Sequence, residues 1–134
     1  MRPSRMVPKR GATLARTVLI VDDSPIVRRS VSSALLSDGF AVCGEANDGR
    51  EAIELVGRLS PDLIILDLSM PVMNGLEAAP VLRKLAPKSA IILSTLCASE
   101  AVEQQFESIE VDSVLSKREP LSRLTEEAHA LLGE

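Results

Sequence analysis

Five polar side chains stand where runs of strand-forming residues give out. Asp22 and Asp23 follow Val18–Val21, Asp67 follows Leu63–Leu66, Thr95 comes just after Ala90–Leu93, and Lys117 just after Val111–Leu115. If the strands before Asp22 and Asp67 are neighbours, three carboxylates converge. Such groups repel one another and hold their protons more tightly unless a cation sits among them. A hard dication meets that need. Oxygen-only ligands favour magnesium or calcium, and few protein ligands with room for water and phosphate oxygens favour Mg2+. Asp23 and Asp67 are the candidates for direct ligation, Asp22 for ligation through water. A carboxylate beside such an ion can attack phosphorus and become an aspartyl phosphate, because the metal offsets charge on the transferred group. Lys117 would bring a point charge to a phosphoryl oxygen, and the Thr95 hydroxyl a hydrogen bond.

Taken singly, each residue has a plainer reading. Asp-Asp before Ser24-Pro25 caps a helix, Thr95 caps the next one, and Lys117 is a solvated turn lysine. Their shared position at the same ends of four strands favours the chemical reading.

The elements that would position these residues follow from periodicity. Val18–Val21, Phe40–Gly44, Leu63–Leu66, Ala90–Leu93 and Val111–Leu115 are short, aliphatic and often β-branched, as suits strands buried on both faces. Between them lie amphipathic stretches. Ser24-Pro25 opens the first, Val27, Val31, Ala34 and Leu35 form its stripe, and Gly39 ends it. Asp48 with Glu51 looks like a capping box for a second, whose Ala52, Ile53, Val56 and Leu59 share a face before Pro61. A third begins near Gly75, and Pro80 inside it predicts a late start or a kink. Val102, Phe106 and Ile109 make another stripe; Leu121, Leu124, Ala128 and Leu131 make the last. Strict alternation implies right-handed crossovers and a parallel sheet covered on both faces. The expected fold is a doubly wound α/β, flavodoxin-like (βα)5, with five parallel strands in the order 2-1-3-4-5. In that order the first and third strands are adjacent, and ligands bind beyond the strands' carboxyl ends.

Composition narrows the functional classes. At 134 residues one domain is the expectation, and with no Trp or Tyr and only Phe40 and Phe106 aromatic, its core must be aliphatic. Residues 1–16 carry Arg2, Arg5, Lys9, Arg10 and Arg16 and no acid, leaving ten basic against nineteen acidic residues in the remainder. An acidic body is a poor match for a phosphate backbone, which argues against direct nucleic-acid binding by the globular part. Cys43 and Cys97 lack metal-like spacing, and no long apolar run suggests a membrane span, so a cytoplasmic setting is expected. His129, alone in a helical stretch, is assigned no role.

The residues Val-Leu-Ile-Val-Asp-Asp-Ser-Pro at 18–25, Pro-Asp-Leu-Ile-Ile-Leu-Asp-Leu-Ser-Met-Pro-Val-Met-Asn-Gly at 61–75, Thr95 and Lys117 resemble response-regulator receiver domains of two-component signalling. The resemblance covers about residues 17–132. It implies phosphoryl transfer from a histidine kinase or phosphotransfer protein to Asp67, with Mg2+ at Asp22, Asp23 and Asp67, and Thr95 and Lys117 at the phosphoryl group. Thr95 is chosen over Ser94 because its spacing from Asp67 and Lys117 fits the family pattern. Residues 1–16 are then a basic, disordered tail and 17–134 the receiver, which would catalyse only its own phosphorylation and dephosphorylation. The chain's end at Glu134 suggests a stand-alone receiver whose output is reversible binding of an unidentified partner; homodimerisation stays open.

Three departures bear on output: Val114 where the family usually has an aromatic residue, Leu96 after Thr95, and Arg118 in place of the usual proline after Lys117. A trans Lys117–Arg118 bond is expected, since a cis bond before a non-proline residue costs about 2.5–4 kcal/mol. An alternative is the receiver portion of a DNA-binding transcription regulator whose output domain is absent here, suggested by Gly44-Glu45-Ala46 before Asp48-Gly49 and by Thr95-Leu96. A phosphatase with an aspartate nucleophile is disfavoured by Ser69 two residues after Asp67, and a nucleotide binder by the lack of glycines after the first strand.

Overall fold

The computed structural model of the chain describes residues 15–96, 104, 105, 107 and 111–133. Five strands, β1 (Thr17–Val21), β2 (Ala41–Ala46), β3 (Leu63–Asp67), β4 (Ala90–Thr95) and β5 (Ser113–Ser116), pair in parallel in the order β2-β1-β3-β4-β5. This is the order expected from the alternation of strands and helices. Helices α1 (Pro25–Ser37), α2 (Gly49–Leu59), α3 (Gly75–Leu85) and α4 (Leu121–Leu132) connect and cover them. Gln104, Gln105 and Glu107 are also helical, while the stripe of Val102, Phe106 and Ile109, like Cys97, lies outside the described residues.

Successive side chains of a strand point to opposite faces, and the core divides accordingly. Leu19, Val21, Ile64, Leu66, Ile91 and Leu93 pack with Ala52 and Val56 of α2 and Ala78, Ala79 and Leu82 of α3. Val18, Ile20, Leu63, Ile65 and Ile92 pack on the other face with Val31 and Leu35 of α1 and Leu124 and Ala128 of α4. Each fully buried Leu or Ile contributes about 1.5–3 kcal/mol relative to exposure. The core is aliphatic, with Phe40 the aromatic contribution among the described residues. His129 does have a structural place: its ring lies 4.7 Å from that of Phe40 and its Nε2 2.6 Å from Asp38 Oδ2, tying α4 to the end of α1.

Local chemistry sets the helix ends. Ser24 Oγ accepts from the Val27 N–H, and Pro25 opens α1. Asp48 caps α2 by accepting from the Glu51 N–H, but the Glu51 carboxylate accepts from Asn47 N–H, one residue before the cap. The full capping box is at Asn74 and Glu77, which the sequence reading missed. It starts α3 at Gly75, so the predicted late start is overturned: Pro80 lies within the helix, on its exposed side, where water can replace the missing N–H.

Strand limits also differ from expectation. β2 runs on from Ala41 to Ala46, with a register shift opposite Val18 and Leu19 that leaves Cys43 without a partner residue. Asp112 falls just before β5, its N–H donating to the Ile91 carbonyl at 2.9 Å while its carboxylate accepts from the Ile91 N–H at 2.7 Å and from Arg83 at 2.7 Å.

Candidate functional site

The carboxyl ends of β1 and β3 bring Asp22, Asp23 and Asp67 together, with one carboxylate oxygen of each within 4.8 Å of the others. Asp22 and Asp67 are both 4% exposed, whereas Asp23 is exposed. Lys117, delivered by the segment after β5, spans the cluster. Its Nζ lies 2.8 Å from Asp22 Oδ2 and 3.1 Å from Asp67 Oδ1. The Lys117 N–H donates to the Thr95 carbonyl at 2.7 Å, and Thr95 is buried at the end of β4. Ser94, not Thr95, is the register partner of Asp67, and Thr95 pairs with Ser116 one step further out. The Lys117–Arg118 bond is trans, as expected.

Asp22 is held on every polar side. Its N–H donates to the Ala46 carbonyl at 3.0 Å, Oδ1 accepts from the Ser24 N–H at 2.9 Å, Oδ2 accepts from Lys117, and its carbonyl accepts from Arg28 Nη1 at 2.6 Å. Asp67 Oδ1 accepts from the Ser69 N–H at 3.3 Å. The Asp23 carboxylate makes no hydrogen bond or ion pair with the described residues.

Burial pushes the Asp67 carboxyl above its ordinary pKa, and the Asp22 charge adds to the rise, which Lys117 only partly offsets. For Lys117, burial acts to lower the pKa, but the two carboxylates outweigh it and hold the ammonium above its usual value. Charge is therefore concentrated here at a cost, the condition under which a bound cation is most favoured. The donors are carboxylate oxygens only, one of them free, which fits a hard dication held with water.

The loop between β3 and α3 closes tightly under the site. Gly75 N–H donates to the Leu68 carbonyl at 2.9 Å, and a Cβ at Gly75 would meet the Asp67 carbonyl oxygen at 2.5 Å. Only glycine lets the helix start this close to the Asp67 backbone. In the same loop Val72 has φ +66° and 74% exposure, with the Met73 N–H bonded across it to Pro71 O at 2.7 Å.

A family model described as the response regulator receiver domain matches residues 18–129. The chain belongs to that family. Among receiver relatives, chemotaxis protein CheY of Thermotoga maritima is 36% identical over 89 residues, covering 66% of this chain and 74% of that protein. A protein-glutamate methylesterase/protein-glutamine glutaminase of Pyrococcus abyssi is 42% identical over 98 residues, 72% of this chain. The receiver spans about a quarter of that protein's length, 26%. The structure of chemotaxis protein CheY4 of Vibrio cholerae superposes with a TM-score of 0.82 at 30% identity, covering 89% of this chain and 100% of that one.

The receiver thus assembles Asp22, Asp23, Asp67 and Lys117 in contact range, with Thr95 joined to Lys117 through the backbone. Arg28 was not anticipated as part of this region. Nothing in its sequence position distinguishes it from Arg29, which is exposed.

Proposed function

We propose that Asp67 is the phosphoacceptor of this receiver, in a transfer assisted by Mg2+. The observation that supports it best is Lys117 lying between Asp22 and Asp67, beside the unpaired carboxylate of Asp23. Asp23 and Asp67 would hold the ion directly, and Asp22, both of whose oxygens are engaged, through water. The ion would supply charge neutralisation at the transferred group. Asp67 Oδ1 is held by Ser69 and Lys117, which leaves Oδ2 to attack phosphorus while the donor's P–N or P–O bond breaks. The Lys117 ammonium offsets charge on the incoming phosphoryl oxygens, and the Thr95 hydroxyl donates to one of them.

The donor is a histidine kinase or phosphotransfer protein, and the product switches the binding of an output protein in the cytoplasm. No helix among the described residues is long and apolar enough to cross a membrane. The chain itself would promote only its own phosphorylation and dephosphorylation. Intact mass after incubation with acetyl phosphate is the test. A single phosphoryl adduct is expected with Mg2+, and none with excess chelator or in Asp67→Asn. An adduct forming at the same rate in Asp67→Asn would overturn the assignment.

A further inference from the structure

We propose that Arg28 is a positioning residue for the acidic turn, fixing the Asp22–Asp23 peptide so that the Asp23 carboxylate faces a cation. The inference rests on the metal-assisted reading of the site. Arg28 sits in the second turn of α1, and its side chain is only 15% exposed. The guanidinium forks. Nη1 donates to the Asp22 carbonyl at 2.6 Å, and Nε donates to Glu45 Oε1 on the edge strand β2 at 2.8 Å. The Asp22 carbonyl and the Asp23 N–H belong to one rigid peptide plane. Holding that oxygen therefore sets the direction in which the chain leaves Asp22, and with it the origin of the Asp23 side chain. Asp23 has no bond of its own to orient it among the described residues. Its placement depends on the turn, and the turn is anchored from α1 and β2 through Arg28.

Charge and geometry make opposite predictions here. A guanidinium near three carboxylates repels a dication, so a purely electrostatic role means that removing it tightens cation binding. A positioning role means the reverse. Loss of a group that orients a metal ligand typically weakens metal binding about 10–100-fold. Lysine keeps the charge but has one ammonium on a flexible stem and lacks the planar fork, so it cannot make both bonds in this geometry.

The experiment is calorimetric titration of the unphosphorylated full chain with MgCl2, comparing wild type with Arg28→Met and Arg28→Lys, and with folding checked by circular dichroism. The Kd for Mg2+ is expected to rise about tenfold in Arg28→Met, with no return to the wild-type value in Arg28→Lys. Binding in Arg28→Met as tight as in wild type, or tighter, overturns the proposal while leaving the metal site intact. Full rescue by Arg28→Lys overturns it too, since one flexible donor would then suffice and the fork that anchors the turn to Glu45 would not be needed. If wild type itself binds no Mg2+, the metal-assisted reading fails and this inference with it. Should Arg28→Met not fold, Glu45→Ala carries the test. It removes the far anchor at a half-exposed site and is expected to raise the Kd about two- to threefold at low and at high salt alike, and an unchanged Kd, or a rise that vanishes at high salt as a pure charge effect would, overturns the proposal.

Discussion

Replacing Gly75 with alanine would put a methyl carbon 2.5 Å from the Asp67 carbonyl oxygen and 3.0 Å from Leu68 Cα. Both are backbone atoms of the segment that presents Asp67, so neither can rotate away. The start of α3 must move outward or β3 must yield. Overpacking of this kind costs about 1–3 kcal/mol. Against it stands the better helix propensity of alanine, at most about 1 kcal/mol. The net expectation is a loss of about 1–2 kcal/mol, or a Tm drop of about 3–8 °C for a domain of this size. Gly57 provides the control within the same protein. It is exposed in α2, and a Cβ there would meet nothing within 4 Å. Gly57→Ala should therefore stabilise by about 0.5–1 kcal/mol. Urea melts followed by far-UV circular dichroism would measure both variants. If Gly75→Ala proved as stable as Gly57→Ala, the close approach of α3 to the Asp67 backbone would not be a constraint, and the reasoning would be wrong.

Burial and the Asp22 charge raise the native-state pKa of Asp67, so between the unfolded and native values the folded protein binds more protons and its stability falls as pH rises. Asp67→Asn should accordingly be more stable than wild type near neutral pH, the advantage shrinking as pH falls through the raised native value and vanishing below the ordinary carboxylate value of about 4; a difference that did not vary with pH would contradict this. Val72 holds φ +66° at the centre of a γ-turn closed by the Met73 N–H and Pro71 O, a strained conformation for a β-branched residue, and with its side chain exposed, Val72→Gly should raise the urea midpoint by the equivalent of about 0.5–1 kcal/mol. Val114 is half-buried against the α2–α3 side of the core, so Val114→Ala should cost about 1 kcal/mol of stability while leaving the phosphorylation-linked change in partner affinity in place. Loss of that change with an unaltered phosphorylation rate would make β5 the conduit to the output surface.

The fold could be read from the sequence because the strands are short, aliphatic and separated by amphipathic stretches, a pattern that few architectures satisfy. The convergence of the three carboxylates was legible for a related reason: the runs Val18–Val21 and Leu63–Leu66 that end in them are neighbours in that strand order. The misses are of another kind. Asn74 and Glu77 have the letters of a capping box, but Pro80 inside a helix placed near Gly75 suggested a late start or a kink, although one missing N–H on an exposed face is a small loss. Asp112 looked like part of a strand because Val111, Val114 and Leu115 flank it, whereas its carboxylate serves the Ile91 N–H and Arg83 across the sheet. Arg28 acts on a main-chain carbonyl six residues earlier, and contacts of side chain with backbone leave no periodic trace in sequence.

The two borders of the sheet bear on whether copies of this receiver can join strand to strand. Along β2 the shifted register at Cys43 interrupts the regular row of groups that another strand would need to match, and β5 offers only the four residues Ser113–Ser116. Open sheet borders are where proteins anneal irreversibly, and short or irregular ones resist it. Encounters at high concentration are thereby turned away from strand addition and towards helix surfaces and loops. Contacts made there run through exposed side chains and respond to an added phosphoryl charge, as the backbone bonds of a fused sheet do not.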